Sequence, residues 1–146
     1  MGKASSGQGK VEVSAMNFLV DHNLRGHAVL LSGSLLSSGW LDWLLLRFIT
    51  FDEMGLPIDS DDRVVWQLAQ SNQMILLTAN RSMKGENSLE QVMREEITST
   101  SLPVITIGDA DRLLNDFEYW ERCAVRLVEI VIDINTYMGV SRLFIP

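Results

Sequence analysis

Cysteine and positive charge are both scarce in this sequence. Cys123 is the only cysteine, so the chain cannot form an internal disulfide and has no cysteine cluster that would hold zinc. A reducing compartment, the cytoplasm, is therefore the expected setting. Lys and Arg number 12 against 19 Asp and Glu, which gives a net charge of -7. Because such a surface repels a polyanion at long range, any contact with nucleic acid is expected to be local.

Glycine-rich loops and long apolar runs are also missing. The absence of a Gly-rich phosphate loop disfavours a nucleotide-driven machine. The opening MGKASSGQGK has no apolar segment of the secretory type, so residues 1–15 are predicted to be a flexible tail before one domain, residues 16–146. The most apolar stretch, residues 28–46, is diluted by four serines, two glycines and Asp42. We expect short buried helices there and no membrane partner.

Short apolar runs alternate with helical patterns along the chain. This alternation predicts an α/β domain, a three-layer sandwich with a short, mostly parallel central sheet. Strands are predicted at residues 16–21, 46–51, 74–78 and 103–108, with a further short strand in the final SRLFIP. Helices are predicted at residues 24–46 with a break at Gly39, at 61–71 after a cap by Asp59 or Ser60, at 87–97, and in one long final helix capped by Asp109.

Acidic and polar residues follow the predicted strands. In an open parallel sheet, ligands bind beyond the carboxyl ends of the strands. The residues concerned are Asp21, Asp52, Glu53, Thr78 and Asn80, together with Asp59, Asp61 and Asp62 at the start of a helix. Carboxylates that converge there repel one another unless a divalent cation neutralises them, and hard oxygen ligands suit Mg2+ or Mn2+. For each aspartate near the helix start taken singly, helix capping is an equally good explanation.

Three short motifs occur in a fixed order along the chain. The first strand ends in Asp21-His22-Asn23-Leu24, and the helix that follows the second strand carries Asp62, Val65 and Ala69 in the pattern Asp-x-x-[Ile/Val]-x-x-x-Ala. The third strand ends in Thr78-Ala79-Asn80. In this order the motifs resemble those of the PIN-like nucleases, in particular a small bacterial branch. The resemblance covers roughly residues 16 to 97.

The resemblance implies a metal-dependent ribonuclease of toxin or RNA-processing type, which hydrolyses phosphodiester bonds with Mg2+ or Mn2+. It implies Asp21 and Asp62 as metal ligands, Glu53 as a candidate third ligand, and Asn80 in the catalytic set beside them. Thr78 and Asn23 are supporting residues. Asn80 is an amide where the family commonly has an acid, with Glu86 as a candidate substitute, which leaves open a catalytically inactive domain that binds a protein or nucleic acid. An antitoxin protein is a candidate partner.

Further expectations concern partners and geometry. Arg25, Arg81 and Lys84 follow the first and third strands, where they either meet RNA phosphates locally or are solvated charges. The apolar strip of residues 28–46 predicts a homodimer. A shared cation requires the Asp21 and Asp62 carboxylates to lie within about 4 to 7 Å of each other.

A phosphatase acting on small molecules is disfavoured because no Asp-x-Asp follows the first strand.

Overall fold

A parallel β-sheet forms the centre of the molecule. The computed structural model describes residues 14–79 and 88–146. Its strands are β1 (Ser14–Val20), β2 (Leu44–Ile49), β3 (Met74–Thr78), β4 (Val104–Ile107) and β5 (Arg142–Ile145). They lie in the order β2-β1-β3-β4-β5, and each neighbouring pair is parallel. The predicted α/β class is confirmed, and the described sheet is parallel throughout.

Helices cover both faces of the sheet. They are α1 (Arg25–Ser37), α2 (Asp62–Ser71), α3 (Leu89–Glu96), α4 (Ala110–Asn115) and α5 (Phe117–Ile132), with single 3-10 turns between some of the elements. Apolar residues of α1, α4 and α5 pack on one face, and those of α2 and α3 pack on the other. Every residue of β3 is buried, as expected of a central strand covered on both sides.

The strand order creates a crevice at one place on the sheet edge. The chain leaves β1 towards α1 on one face, whereas α3, the helix that follows β3, lies on the opposite face. Since β1 and β3 are hydrogen-bonded neighbours, the connections diverge at their carboxyl ends. Such a switch point is the usual ligand position in an open parallel sheet.

Several predicted boundaries are wrong, two of them for a clear local reason. β2 begins at Leu44 rather than at residue 46, because Gly39 with a φ of 82° ends the preceding helix and a short 3-10 turn completes the reversal. The final helix is interrupted at Asp116, whose extended backbone (φ -129°, ψ 103°) separates α4 from α5. β1 begins at Ser14, inside the stretch predicted to be a tail.

The apolar strip of residues 28–46 folds into α1, a 3-10 turn and the start of β2. Within residues 14–79 and 88–146, none of the helices combines the length and the hydrophobicity needed to cross a membrane.

Candidate functional site

Asp21 and Thr78 meet at the carboxyl ends of β1 and β3. The backbone N–H of Asp21 donates to the Leu77 carbonyl at 2.9 Å, which continues the pairing of the two strands by one residue. The Thr78 hydroxyl donates to Oδ2 of Asp21 at 2.8 Å. Thr78 is buried, so its hydroxyl holds the carboxylate in one orientation at the switch point.

Asp62 reaches the same place from the start of α2. Its Oδ2 accepts the backbone N–H of Leu89, the first residue of α3, at 3.1 Å. The cap of α2 is the preceding residue, Asp61, which accepts the N–H of Val64 at 2.9 Å. The sequence predicted Asp59 or Ser60 as the cap; instead, the Ser60 hydroxyl donates to the Pro57 carbonyl at 2.7 Å.

These side chains line one small pocket. Its volume is about 50 Å³, and its polar lining comes from Asp21, Ser60, Asp62 and Thr78. Its apolar lining comes from Phe51, Ile58, Val65, Leu76 and Leu89. A water molecule takes about 30 Å³ in the liquid, so the space suits one small ion or one or two waters. A cavity of about 800 Å³ lies elsewhere, near the amino ends of β1 and β3, and is not lined by a pair of aspartates.

Glu53, the candidate third ligand, does not line this pocket. Its Oε1 accepts the backbone N–H of Thr50 at 3.0 Å and the Thr50 hydroxyl at 3.2 Å. These hydrogen bonds lower the pKa of Glu53 below its ordinary value, the backbone bond most of all. The carboxylate is therefore ionised and held within its own exposed turn.

The remaining predicted site residues lie apart from the pocket or outside the described chain. Asn23 is exposed in a 3-10 turn. Arg25 is exposed and lines a separate groove of about 310 Å³ beside β2. Outside the described residues lie Asn80, Arg81, Lys84 and Glu86, so their predicted roles stay predictions.

Every side-chain atom that the described residues bring to the pocket and that could bind a metal ion is an oxygen. Carboxylate and hydroxyl oxygens suit Mg2+ or Mn2+, whereas zinc sites use thiolate and imidazole ligands far more often. Asp21 and Asp62 therefore fit a hard divalent cation. In the described part of the chain, however, no three His, Cys, Asp or Glu side chains gather in a group that would hold a metal ion.

Sequence analysis missed two contributors to this pocket. The sequence indicates Ser60 only as a helix cap, because a serine near the start of a helix predicts no other role. The Leu89 amide was missed because it lies 27 residues from Asp62, a separation that no local pattern reveals. The contact of Leu89 with Asp62 forms only where α2 and α3 pack side by side.

Comparison of the chain with family models, curated proteins and solved structures gives no match. The resemblance to PIN-like nucleases stays a prediction from the motifs. Any function must therefore be argued from the geometry of the pocket.

Proposed function

We propose that the pocket at the carboxyl ends of β1 and β3 is the active site of an Mg2+- or Mn2+-dependent ribonuclease. One observation carries the proposal: Asp21, Thr78 and Asp62, which come from three separate motifs, line a single pocket. The pocket lies at the switch point of the sheet, where ligands of open parallel sheets bind. The PIN-like resemblance of the same three motifs supplies the reaction, hydrolysis of a phosphodiester bond.

In this proposal Asp21 and Asp62 hold the metal ion. A bound Mg2+ or Mn2+ supplies a Lewis acid and lowers the pKa of a coordinated water. The Thr78 hydroxyl fixes the Asp21 carboxylate, and the Leu89 amide fixes that of Asp62. Apolar side chains form part of the wall, including Phe51 and Leu76, and apolar surroundings strengthen electrostatic interactions.

The substrate class is RNA that binds through local contacts. The net charge of -7 opposes broad phosphate binding, so a few cations must act close to the site. Arg25, which begins α1 four residues after Asp21, is exposed and available for one such contact. Arg81 and Lys84 are further candidates on sequence grounds.

Cleavage of an unstructured RNA in the presence of Mn2+ tests the proposal. Wild type should cleave, and Asp21→Asn should not, because the amide removes the negative charge that attracts the cation. Asp61→Asn is the matched control: it removes the same charge, and asparagine still caps α2. Equal cleavage by wild type and Asp21→Asn contradicts the proposal.

The second candidate function is a catalytically inactive domain that binds nucleic acid or a protein. It is favoured by the absence of a third acidic side chain beside Asp21 and Asp62 among the described residues, and by the amide at Asn80. The variant Asn80→Asp separates the two functions. If wild type neither binds metal nor cleaves while Asn80→Asp gains both, the inactive domain is the better description.

A homodimer and an antitoxin partner complete the proposal. Residues 26–41 contain no Asp, Glu, Lys or Arg, and two apolar side chains of α1, Val29 and Leu36, are more than half exposed. An uncharged surface on an acidic protein suits a second copy, because like-charge repulsion is smallest there. Light scattering should report a dimer, and Val29→Glu with Leu36→Glu should return it to a monomer.

A cytoplasmic location belongs to the same proposal. Cys123 is buried, and burial raises the pKa of its thiol to about 12. The thiol therefore stays protonated and unreactive near neutral pH, which is compatible with a reducing compartment.

A further inference from the structure

A buried ion pair joins the last strand to the first turn of α3. Nε and Nη2 of Arg142 each lie 2.8 Å from Oε1 of Glu90. Nη1 of Arg142 donates to the Thr106 hydroxyl at 2.6 Å. The Arg142 side chain is only 7% exposed and that of Glu90 22% exposed, and Thr106 is fully buried. Arg142, in β5, therefore contacts both β4 and α3, and its side chain is largely shielded from water.

Such a pair is not needed for packing alone. Removing two charges from water is costly, and apolar side chains of similar volume often stabilise a protein equally well or better. An ion pair differs from an apolar contact because its hydrogen bonds are directional. Three polar contacts from one planar guanidinium fix both the position and the rotation of the groups that they join.

The groups fixed by Arg142 are the immediate neighbours of the site. Glu90 follows Leu89, whose N–H donates to Asp62. Thr106 pairs in register with Thr78, whose hydroxyl donates to Asp21. Glu90 is therefore one residue along the chain from the hydrogen bond that orients Asp62. Thr106 is one strand across the sheet from the hydrogen bond that orients Asp21.

We propose that Arg142 is a positioning residue, which clamps the first turn of α3 against β4 and thereby keeps the Leu89 N–H aimed at Asp62. The proposal rests on the proposed function, since it gives the clamp a purpose in holding a metal ligand. The clamp matters because α3 has only 8 residues. The amides of a first helical turn have no partners within their own helix, so their direction depends on how the turn is held.

The closing experiment combines two measurements on the full chain. Amide hydrogen exchange of Leu89, followed by NMR in EDTA, reports the clamp without metal. Calorimetric titration with Mn2+ gives the metal affinity, which reports the effect of the clamp on the site. The test variant is the double substitution Arg142→Met with Glu90→Leu, which replaces the pair by apolar side chains of similar size and leaves no buried charge alone.

The matched control is Arg126→Met with Glu129→Leu, which removes an ion pair within α5, on the other face of the sheet. Like the test variant, the control replaces one cation and one anion by apolar side chains, so the net charge is unchanged. The control should leave both the exchange of the Leu89 amide and the Mn2+ affinity unchanged, because α5 does not line the pocket.

We expect the test variant to exchange the Leu89 amide faster than wild type and to bind Mn2+ about tenfold more weakly, as substitutions behind a metal ligand commonly do. If the test variant does not fold, Thr106→Val removes a single contact of Arg142 with little change of shape, and should weaken Mn2+ binding about threefold. Unchanged exchange and affinity in the folded variant overturn the inference. If wild type binds no Mn2+, the proposed function fails, while the exchange of Leu89 still decides whether the clamp exists.

Discussion

The starts of α2 and α5 carry similar acidic residues but use them differently. At α5, Asp116 accepts the N–H of Tyr119 in its own helix and pairs with Arg112 at 3.1 Å. At α2, Asp61 caps its own helix, whereas the next residue, Asp62, accepts an amide from α3. Asp62 at the start of α2 lines the pocket at the switch point of the sheet, and Asp116 at the start of α5 does not. The contact that each carboxylate makes, rather than its residue type, therefore separates a candidate ligand from a helix cap.

The largest difference between the two regions is expected in the metal response. Asp62→Asn should lose the rise in melting temperature that Mn2+ gives wild type, because metal stabilises only the state that gathers its ligands. Without metal its melting temperature should stay close to that of wild type, since the asparagine oxygen still accepts the Leu89 N–H. Thermal melts with and without Mn2+ measure both effects.

Asp116→Asn is the control at α5, because it removes the same charge from a helix start that does not line the pocket. It should keep the full response to Mn2+. An equal loss of response in both variants would mean that the metal binds through general surface charge.

The second prediction concerns the hydroxyl behind Asp21. Thr78→Val keeps the shape of the buried side chain and leaves the Asp21 carboxylate without its donor at 2.8 Å. We expect a loss of about 1 to 3 kcal/mol in unfolding free energy and weaker Mn2+ binding. Urea denaturation gives the first value and calorimetry the second. Wild-type metal affinity in this variant would show that Thr78 does not orient a ligand.

The third prediction concerns the cap of α5. Asp116→Ala should destabilise the protein by about 1 kcal/mol, the usual cost of losing an N-cap, and should leave the Mn2+ response intact. Urea denaturation followed by circular dichroism measures the loss. A weaker metal response in this variant would erase the distinction between the two helix starts.

The smallest effect is a pH dependence at the same cap. The hydrogen bond from Arg112, followed by that from the Tyr119 amide, lowers the pKa of Asp116 below its ordinary value of 3.8. A lowered carboxyl pKa stabilises the folded state above the unfolded-state pKa, and this contribution is lost as the pH falls through the folded-state pKa. The melting temperatures of wild type and Asp116→Asn should therefore converge below about pH 4. A constant difference down to about pH 2 contradicts the assignment.

Much of the fold was predictable because its signals are local. The apolar run of β3 gave the strand with its observed bounds, Met74–Thr78, since a strand buried on both faces reads as a continuous apolar segment. Asp109 was predicted to cap a helix, and its carboxylate accepts the N–H of Arg112. The break at Asp116 was missed because apolar residues continue at helical spacing on both sides of it.

The site was predictable only in part, because it depends on contacts between distant segments. Asp21 and Thr78 were identified because they stand at the carboxyl ends of predicted parallel strands, and their side chains are hydrogen-bonded. Glu53 was proposed because it also follows a predicted strand, but its carboxylate is bound by Thr50, three residues away. The ion pair of Arg142 with Glu90 joins residues 52 positions apart, and no spacing rule relates an arginine in a last strand to a helix start.

Calorimetric titration of Mn2+ into wild type, Asp21→Asn and Asp61→Asn tests the central claim most directly. The account predicts that wild type and Asp61→Asn bind one ion per chain with the same affinity, and that Asp21→Asn binds none, because Asp21 lines the pocket and Asp61 caps its own helix. Binding by Asp21→Asn with wild-type affinity, or no binding by any of the three proteins, would contradict it.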